Sequence, residues 1–171
     1  MRAEQKIVAV GAVSGVVLMV VSVWVLTTSL PPPTIADTAA ARLAYAFAAN
    51  LFAVVPLVVM IVAVANQRFM SAAIDPTRHA ESRAMEIDGR VADNTLQQNF
   101  VFVVASLTLS TLVPTSHLQV VWACAIVFVV ARVAFWIGYR INPLYRAPGM
   151  SSTAYMNVGM IVCGLFRTFA G

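Results

Sequence analysis

The residues of this chain best placed to do chemistry are five polar side chains at helical spacing, Glu86, Arg90, Asp93, Asn94 and Gln97. At about 100° per residue they fall within one arc of roughly 100°, so a helix through them carries a polar stripe. Two readings are open. The stripe is either a seam that glues helices together or a ligand site opening to one side of a membrane. Three potential charges within about two and a half turns are more than glue requires. On a second stretch, Arg132 and Tyr139 stand seven residues apart and hence on one helical face.

The stripe opens a segment whose purely apolar part, residues 100–113, is only 14 residues long. A helix needs about 20 residues to cross the hydrocarbon layer, so the crossing must borrow from residues 91–99 and carry polar groups with it. Such groups cost about 2 kcal/mol or more each unless they face protein or a water-filled cavity, and the stripe is therefore expected to look inward. Composition supports a membrane setting. The chain has 171 residues, 60% hydrophobic and 11% charged, with a mean hydropathy of +0.84, against roughly a quarter charged in soluble proteins. Five apolar segments stand out, residues 7–30, 41–65, 91–113, 118–139 and 151–169, and no alternating barrel pattern accompanies them. The predicted fold is an all-α integral membrane protein with five transmembrane helices. Residues 1–40 make an N-terminal anchor helix and Pro-rich turn, and residues 41–171 make the helical bundle.

Basic residues give the orientation. Arg2 and Lys6 precede the first segment; Arg68, Arg78, Arg83 and Arg90 lie between the second and third; Arg140 and Arg146 lie between the fourth and fifth. The positive-inside rule puts the N-terminus and the 67–90 and 140–150 loops in the cytoplasm. The net charge of +4 then reflects orientation beside anionic lipid, with no basic tract suggesting nucleic acid. Cys124 and Cys163 sit in apolar segments without neighbouring ligands and are expected to be buried as small hydrophobes. His79 and His117 lack partners at metal-ligand spacing, so both are expected at the surface and no metal is implied.

Smaller features follow the chain. The first apolar run is about twice the length of a signal-peptide core and reads as a retained anchor. Gly11 and Gly15 allow another helix to approach closely. Pro31, Pro32 and Pro33 stop the first helix. Asn50 is expected to make an interhelical hydrogen bond and Pro56 a kink, with a place in a ligand cavity as the alternative. Arg132, about 12 Å along the helix from Arg140, needs a partner, and Asp93 or Glu86 has the right sign and depth. A purely structural ion pair is the plainer reading of that pairing.

With these residues in hand, the chain resembles the MAPEG family, membrane-associated proteins of eicosanoid and glutathione metabolism. The family motif Glu-x-x-x-Arg-x-x-x-Asn-x-x-Glu is matched by Glu86, Arg90, Asn94 and Gln97. A second block, residues 131–139 (Ala-Arg-Val-Ala-Phe-Trp-Ile-Gly-Tyr) with 142–149 (Asn-Pro-Leu-Tyr-Arg-Ala-Pro-Gly), looks like the family's third helix and the turn after it. The resemblance runs from about residue 43 to the C-terminus. The added first helix and the Leu-Ser-Thr-Leu at 109–112 look most like the branch containing mattrin. It implies a homotrimer, with glutathione as co-substrate held between subunits near the cytoplasmic face. Arg90, Asn94 and Gln97 of one subunit and Arg132 and Tyr139 of its neighbour would surround the tripeptide, in reach of Glu86 and Asp93. Arginines, amides and a carboxylate suit glutathione's two carboxylates and amine.

The departures from the family pattern also carry meaning. Gln97 replaces the motif's glutamate, Asp93 stands where several catalytic members have a basic residue, and Gly149 occupies the position of the thiolate-holding arginine. The implied function is a glutathione transferase or peroxidase acting on lipophilic small molecules, with Arg146 or Arg132 holding the thiolate and Tyr139 donating to it. A scaffold or regulatory protein that kept the fold without the chemistry is the alternative. A small transporter is a third class, disfavoured because five helices with one buried cation leave no continuous polar path.

Overall fold

The computed structural model describes residues 2–78 and 80–170, and among them all regular structure is helical, with no strand. Six main helices follow in order: α1 (Ala3–Ser29), α2 (Ala39–Ala53), α3 (Val55–Phe69), α4 (Arg83–Leu112), α5 (Gln119–Ile141) and α6 (Ala147–Ala170). The expected all-α class is found. His79 lies outside the described residues, while His117 is exposed in the turn before α5.

Local chemistry explains the breaks. α1 stops ahead of the three prolines, its last turn closed by the Leu30 N–H donating to the Leu26 carbonyl at 2.8 Å. The expected kink lies at Val54, where α2 ends and Pro56 enters the first turn of α3, because proline has no N–H and its ring crowds the preceding turn. Asn99 Nδ2 donates to the Ala53 carbonyl at 3.2 Å, so the break leaves that acceptor satisfied inside the bundle. Asn50 makes the expected interhelical bond, donating to Ser106 Oγ at 2.9 Å and to Ala46 O at 2.8 Å. α4 begins earlier than the sequence suggested. Ser82 caps it by accepting from the Met85 N–H at 3.3 Å, and Glu86 suits the positive end of the helix dipole, so the expected loop over 67–90 is helix from Arg83 onward.

Pairings of side chains fix how the helices run. Gln67 meets Asp88, Asn50 meets Ser106 and Arg42 meets Thr115, so α2 and α3 run antiparallel to α4. Asp88 meets Arg140 and Asn94 meets Arg132, so α5 runs antiparallel to α4; Arg132 also meets Thr153, and Gln98 meets Asn157, which leaves α4 and α6 parallel. Arg2, Lys6, the 68–90 arginines, Arg140 and Arg146 therefore share one end of the bundle, called here the basic end. Arg42 and Arg167 mark the far end. Three stretches, Ala3–Ser29, Ala39–Phe69 and Thr115–Ile141, are long and apolar enough to cross a membrane. α4 and α6, with 30 and 24 residues, are also long enough at 1.5 Å per residue, but their polar residues lower their hydropathy.

The core is built of Phe102 against Phe128, ring centroids 4.8 Å apart, with Met60, Leu118 and Val121 also fully or almost fully buried. Cys124 is buried in it, but Cys163 is exposed and departs from expectation because it borders an open groove between α1 and α6 and not the packed core. α1 lies along α6 through its glycines. The Gly15 carbonyl accepts from Ser152 Oγ at 2.8 Å, and a Cβ at Gly15 would run into the Pro148 carbonyl and Ser151 Oγ. Gly15→Ile should therefore detach α1 and lower the melting temperature of detergent-solubilised protein by several degrees, the yield of about 2 to 3 kcal/mol of overpacking. An unchanged melting curve would place α1 elsewhere.

Candidate functional site at the basic end

Asp88 is the centre of the basic end, and its side chain is fully buried. It accepts from Gln67 Nε2 (2.7 Å) on α3, and from Trp136 Nε1 (2.7 Å) and Arg140 Nε (2.7 Å) on α5; Arg140 Nη2 completes a bidentate pair. The Arg140 guanidinium also lies 5.2 Å from the centre of the Trp136 ring. Burial alone would raise the Asp88 carboxyl, but the bonds from Arg140, Gln67 and Trp136 outweigh it and hold the group below its ordinary value. This cluster ties three helices together just outside the stretch expected to cross the membrane.

Arg132 is also fully buried, one layer deeper. It does not pair with Asp93 or Glu86. Nη1 donates to Asn94 Oδ1 at 2.8 Å, and Nη2 donates to the Gly149 carbonyl at 3.1 Å and to Thr153 Oγ1. The guanidinium lies 4.7 Å from the Phe135 ring centre and 5.8 Å from that of Phe128, and Nε has no partner. The expected carboxylates are absent because both project from the other side of α4. Asn94 and Arg132, assigned by the resemblance to different subunits, are bonded within one chain.

Glu86, Arg90, Asp93 and Gln97 are exposed, and Asn94 is half-buried at the edge of their arc. The reason lies in the register of α4. Its buried face is formed by Met85, Asp88, Val91, Ala92, Thr95, Asn99 and Phe102, centred roughly 180° from the stripe. The stripe thus faces away from its own bundle. Among the described residues none of its charged groups forms an ion pair. Beside it lies a cleft of about 510 Å³ between α3 and α4, to which Asp93, Arg68 and Gly89 contribute.

Tyr139 and Arg146 are brought together. Arg146 Nη1 donates to the phenol oxygen at 2.9 Å, and its guanidinium sits 4.9 Å from the ring centre. Tyr139 is buried and Arg146 exposed, so the pair joins the interior to the surface at the start of α6. Tyr139 also borders a cleft of about 800 Å³ with Gln67, Arg83 and Arg140. Gly149 is no open position. A Cβ there would stand 2.5 Å from the Ala131 carbonyl oxygen and 2.6 Å from the Phe135 nitrogen, because α5 and α6 cross at this point. Among the described residues no group of three or more His, Cys, Asp or Glu side chains is placed to hold a metal ion.

Sequence reasoning passed over Asp88, Gln67 and Trp136. One signal was present: Asp88 is the acid of the 86–97 stretch that lies outside the stripe's arc, on the helical face that carries the apolar Val91, Ala92 and Phe102. Comparison with known proteins adds one finding. No curated protein and no solved structure matches the chain. A model of the MAPEG family matches residues 45–166, taking in most of α2 through most of α6 and leaving α1 outside. Together with the apolar helices, that match over well over half of its length makes the chain a multi-pass integral membrane protein belonging to the MAPEG family.

Proposed function

We propose that this protein crosses the membrane five times, by α1, α2–α3, α4, α5 and α6, with the basic end in the cytoplasm, and that it binds glutathione or a related thiol between copies of itself at that end. The observation that carries the reading is the unpaired stripe Glu86, Arg90, Asp93 and Gln97, turned away from its own bundle. A second copy packed on that face would trap charges without partners, and each such group left unsatisfied costs about 1 to 3 kcal/mol or more. A tripeptide with two carboxylates and an ammonium satisfies them. The proposed assembly is a homotrimer of the mattrin-like branch, and Arg146 and Tyr139 of the neighbouring copy are the groups that would face the sulfur. In the reaction, the thiol gives its proton to water, the Arg146 cation stabilises the resulting thiolate, and Tyr139 donates a hydrogen bond to it. The sulfur bonds to an electrophilic carbon of a lipophilic molecule arriving through the bilayer as the bond from that carbon to a leaving group such as halide breaks and the halide departs as the anion.

A second reading, binding without chemistry, is favoured by Gly149, whose contact with α5 leaves no room for the family's arginine. Arg132 is likewise committed to Asn94, Gly149 and Thr153. Purified protein in detergent separates the readings. Saturable glutathione binding at up to millimolar concentration with conjugation of chlorodinitrobenzene supports the enzyme, and binding without conjugation supports the second reading. Absence of both contradicts the proposal.

A further inference from the structure

We propose that a groove at the far end, between α1 and the α4–α6 face, binds an acyl-chain amphiphile with an anionic head, its tail among the methionines and its head on Arg167. The site is independent of the thiol site, which lies at the opposite end of the bundle.

The groove encloses about 550 Å³, and its lining is apolar apart from its mouth. Met19 of α1 and Met156 and Met160 of α6 form its floor. Unbranched thioether side chains adapt to a flexible chain better than branched ones do. At Gly159 the wall recedes, since a Cβ there would meet nothing within 4 Å. The cation of the lining is Arg167, in the last turn of α6; it is exposed and forms no ion pair among the described residues.

Length fixes the class of occupant. From Tyr155 to Arg167, both on the groove wall, α6 advances about 18 Å, slightly more than the ~15 Å depth of one leaflet's hydrocarbon. A single acyl chain entering from the far leaflet fills that depth while its head stays at the interface beside Arg167. Charge complementarity requires the head to be anionic. The apolar remainder excludes a ligand with a second polar end, whose groups would be buried without partners. A long-chain carboxylate and an anionic phospholipid share this chemistry.

The test uses full-length protein in detergent with a fluorescent long-chain carboxylate as probe. Saturable binding is expected. Gly159→Phe, which grows into open space, should weaken it about tenfold or more by filling the tail's place. Arg167→Gln should weaken it several-fold while leaving the affinity of the corresponding long-chain alcohol unchanged. A milder reading needs no bulky substitution: with Cys124→Ala, the rate at which a membrane-permeant maleimide labels Cys163, another wall residue, should fall as the probe saturates. Displacement by phosphatidylglycerol identifies the phospholipid as the occupant, and displacement by unlabelled fatty acid alone identifies the free carboxylate. The proposal is overturned if no saturable binding occurs, or if binding survives Gly159→Phe at full affinity with Cys163 labelling unaffected.

Discussion

Gly149→Arg should yield no folded protein, and Gly149→Ala should already melt well below the wild type. The family pattern makes arginine at this position attractive, because a cation there would hold a thiolate. The crossing of α5 over α6 forbids it. With a Cβ 2.5 Å from one backbone atom and 2.6 Å from another, the helices must separate, and separation also removes the Gly149 carbonyl from Arg132. Overpacking of about 1 to 3 kcal/mol and the loss of a charged hydrogen bond of about 1.5 to 3 kcal/mol together come to roughly 2.5 to 6 kcal/mol, a large share of any domain's stability. Size-exclusion chromatography of solubilised protein measures the outcome. A monodisperse Gly149→Arg variant melting close to wild type would mean that α5 and α6 are farther apart than described.

Arg140→Ala should destabilise the bundle more than Asp88→Asn, although both break the same pair. The asymmetry follows from burial. Asp88 has no exposed side-chain surface, whereas Arg140 keeps 47% of its own. Removing the arginine leaves a carboxylate buried with only Gln67 and Trp136 for support, at a cost of about 3 kcal/mol. Neutralising the aspartate leaves a half-exposed guanidinium free to turn to water, at a cost of about 1 to 2 kcal/mol. The pH dependence has a definite sign. Because the Asp88 carboxyl is lowered in the folded protein, its contribution is complete above the unfolded-state value near 3.9 and is lost as pH falls through the folded one. Acid melting curves of wild type should therefore fall faster below about pH 4 than those of Asp88→Asn. Parallel curves, or an Arg140→Ala variant as stable as Asp88→Asn, would contradict the role assigned to the cluster.

How far the sequence could be read depended on which physical rule applied. Helix ends were legible wherever a residue acts on its own backbone, as with the prolines after α1 and Pro56 at the kink, and the close approach of α6 to α1 was legible in Gly11 and Gly15. Asn50 was legible because an amide in an apolar helix must find a partner. The stripe was recognised as a unit, but its direction was misjudged. The rule that polar groups face protein cannot tell a chain's own core from a surface that meets another molecule. The same rule applied to Asp88, which satisfies it within the chain. Arg132 was assigned an acid because a buried cation asks for one. Three neutral acceptors, Asn94, Gly149 O and Thr153, take that place, and nothing in the spacing of one helix reports what α6 offers from 17 to 21 residues onward.

The central claim is that ligand recognition belongs to the outward face of α4 and that Arg132 is structural. Glutathione affinity measured on wild type, Arg90→Ala and Arg132→Met tests it most directly. The account predicts at least a tenfold loss for Arg90→Ala, the scale of one charge-assisted contact of about 1.5 to 3 kcal/mol, and near-wild-type affinity for Arg132→Met. Equal affinity of Arg90→Ala and wild type, or a loss confined to Arg132→Met, would contradict it.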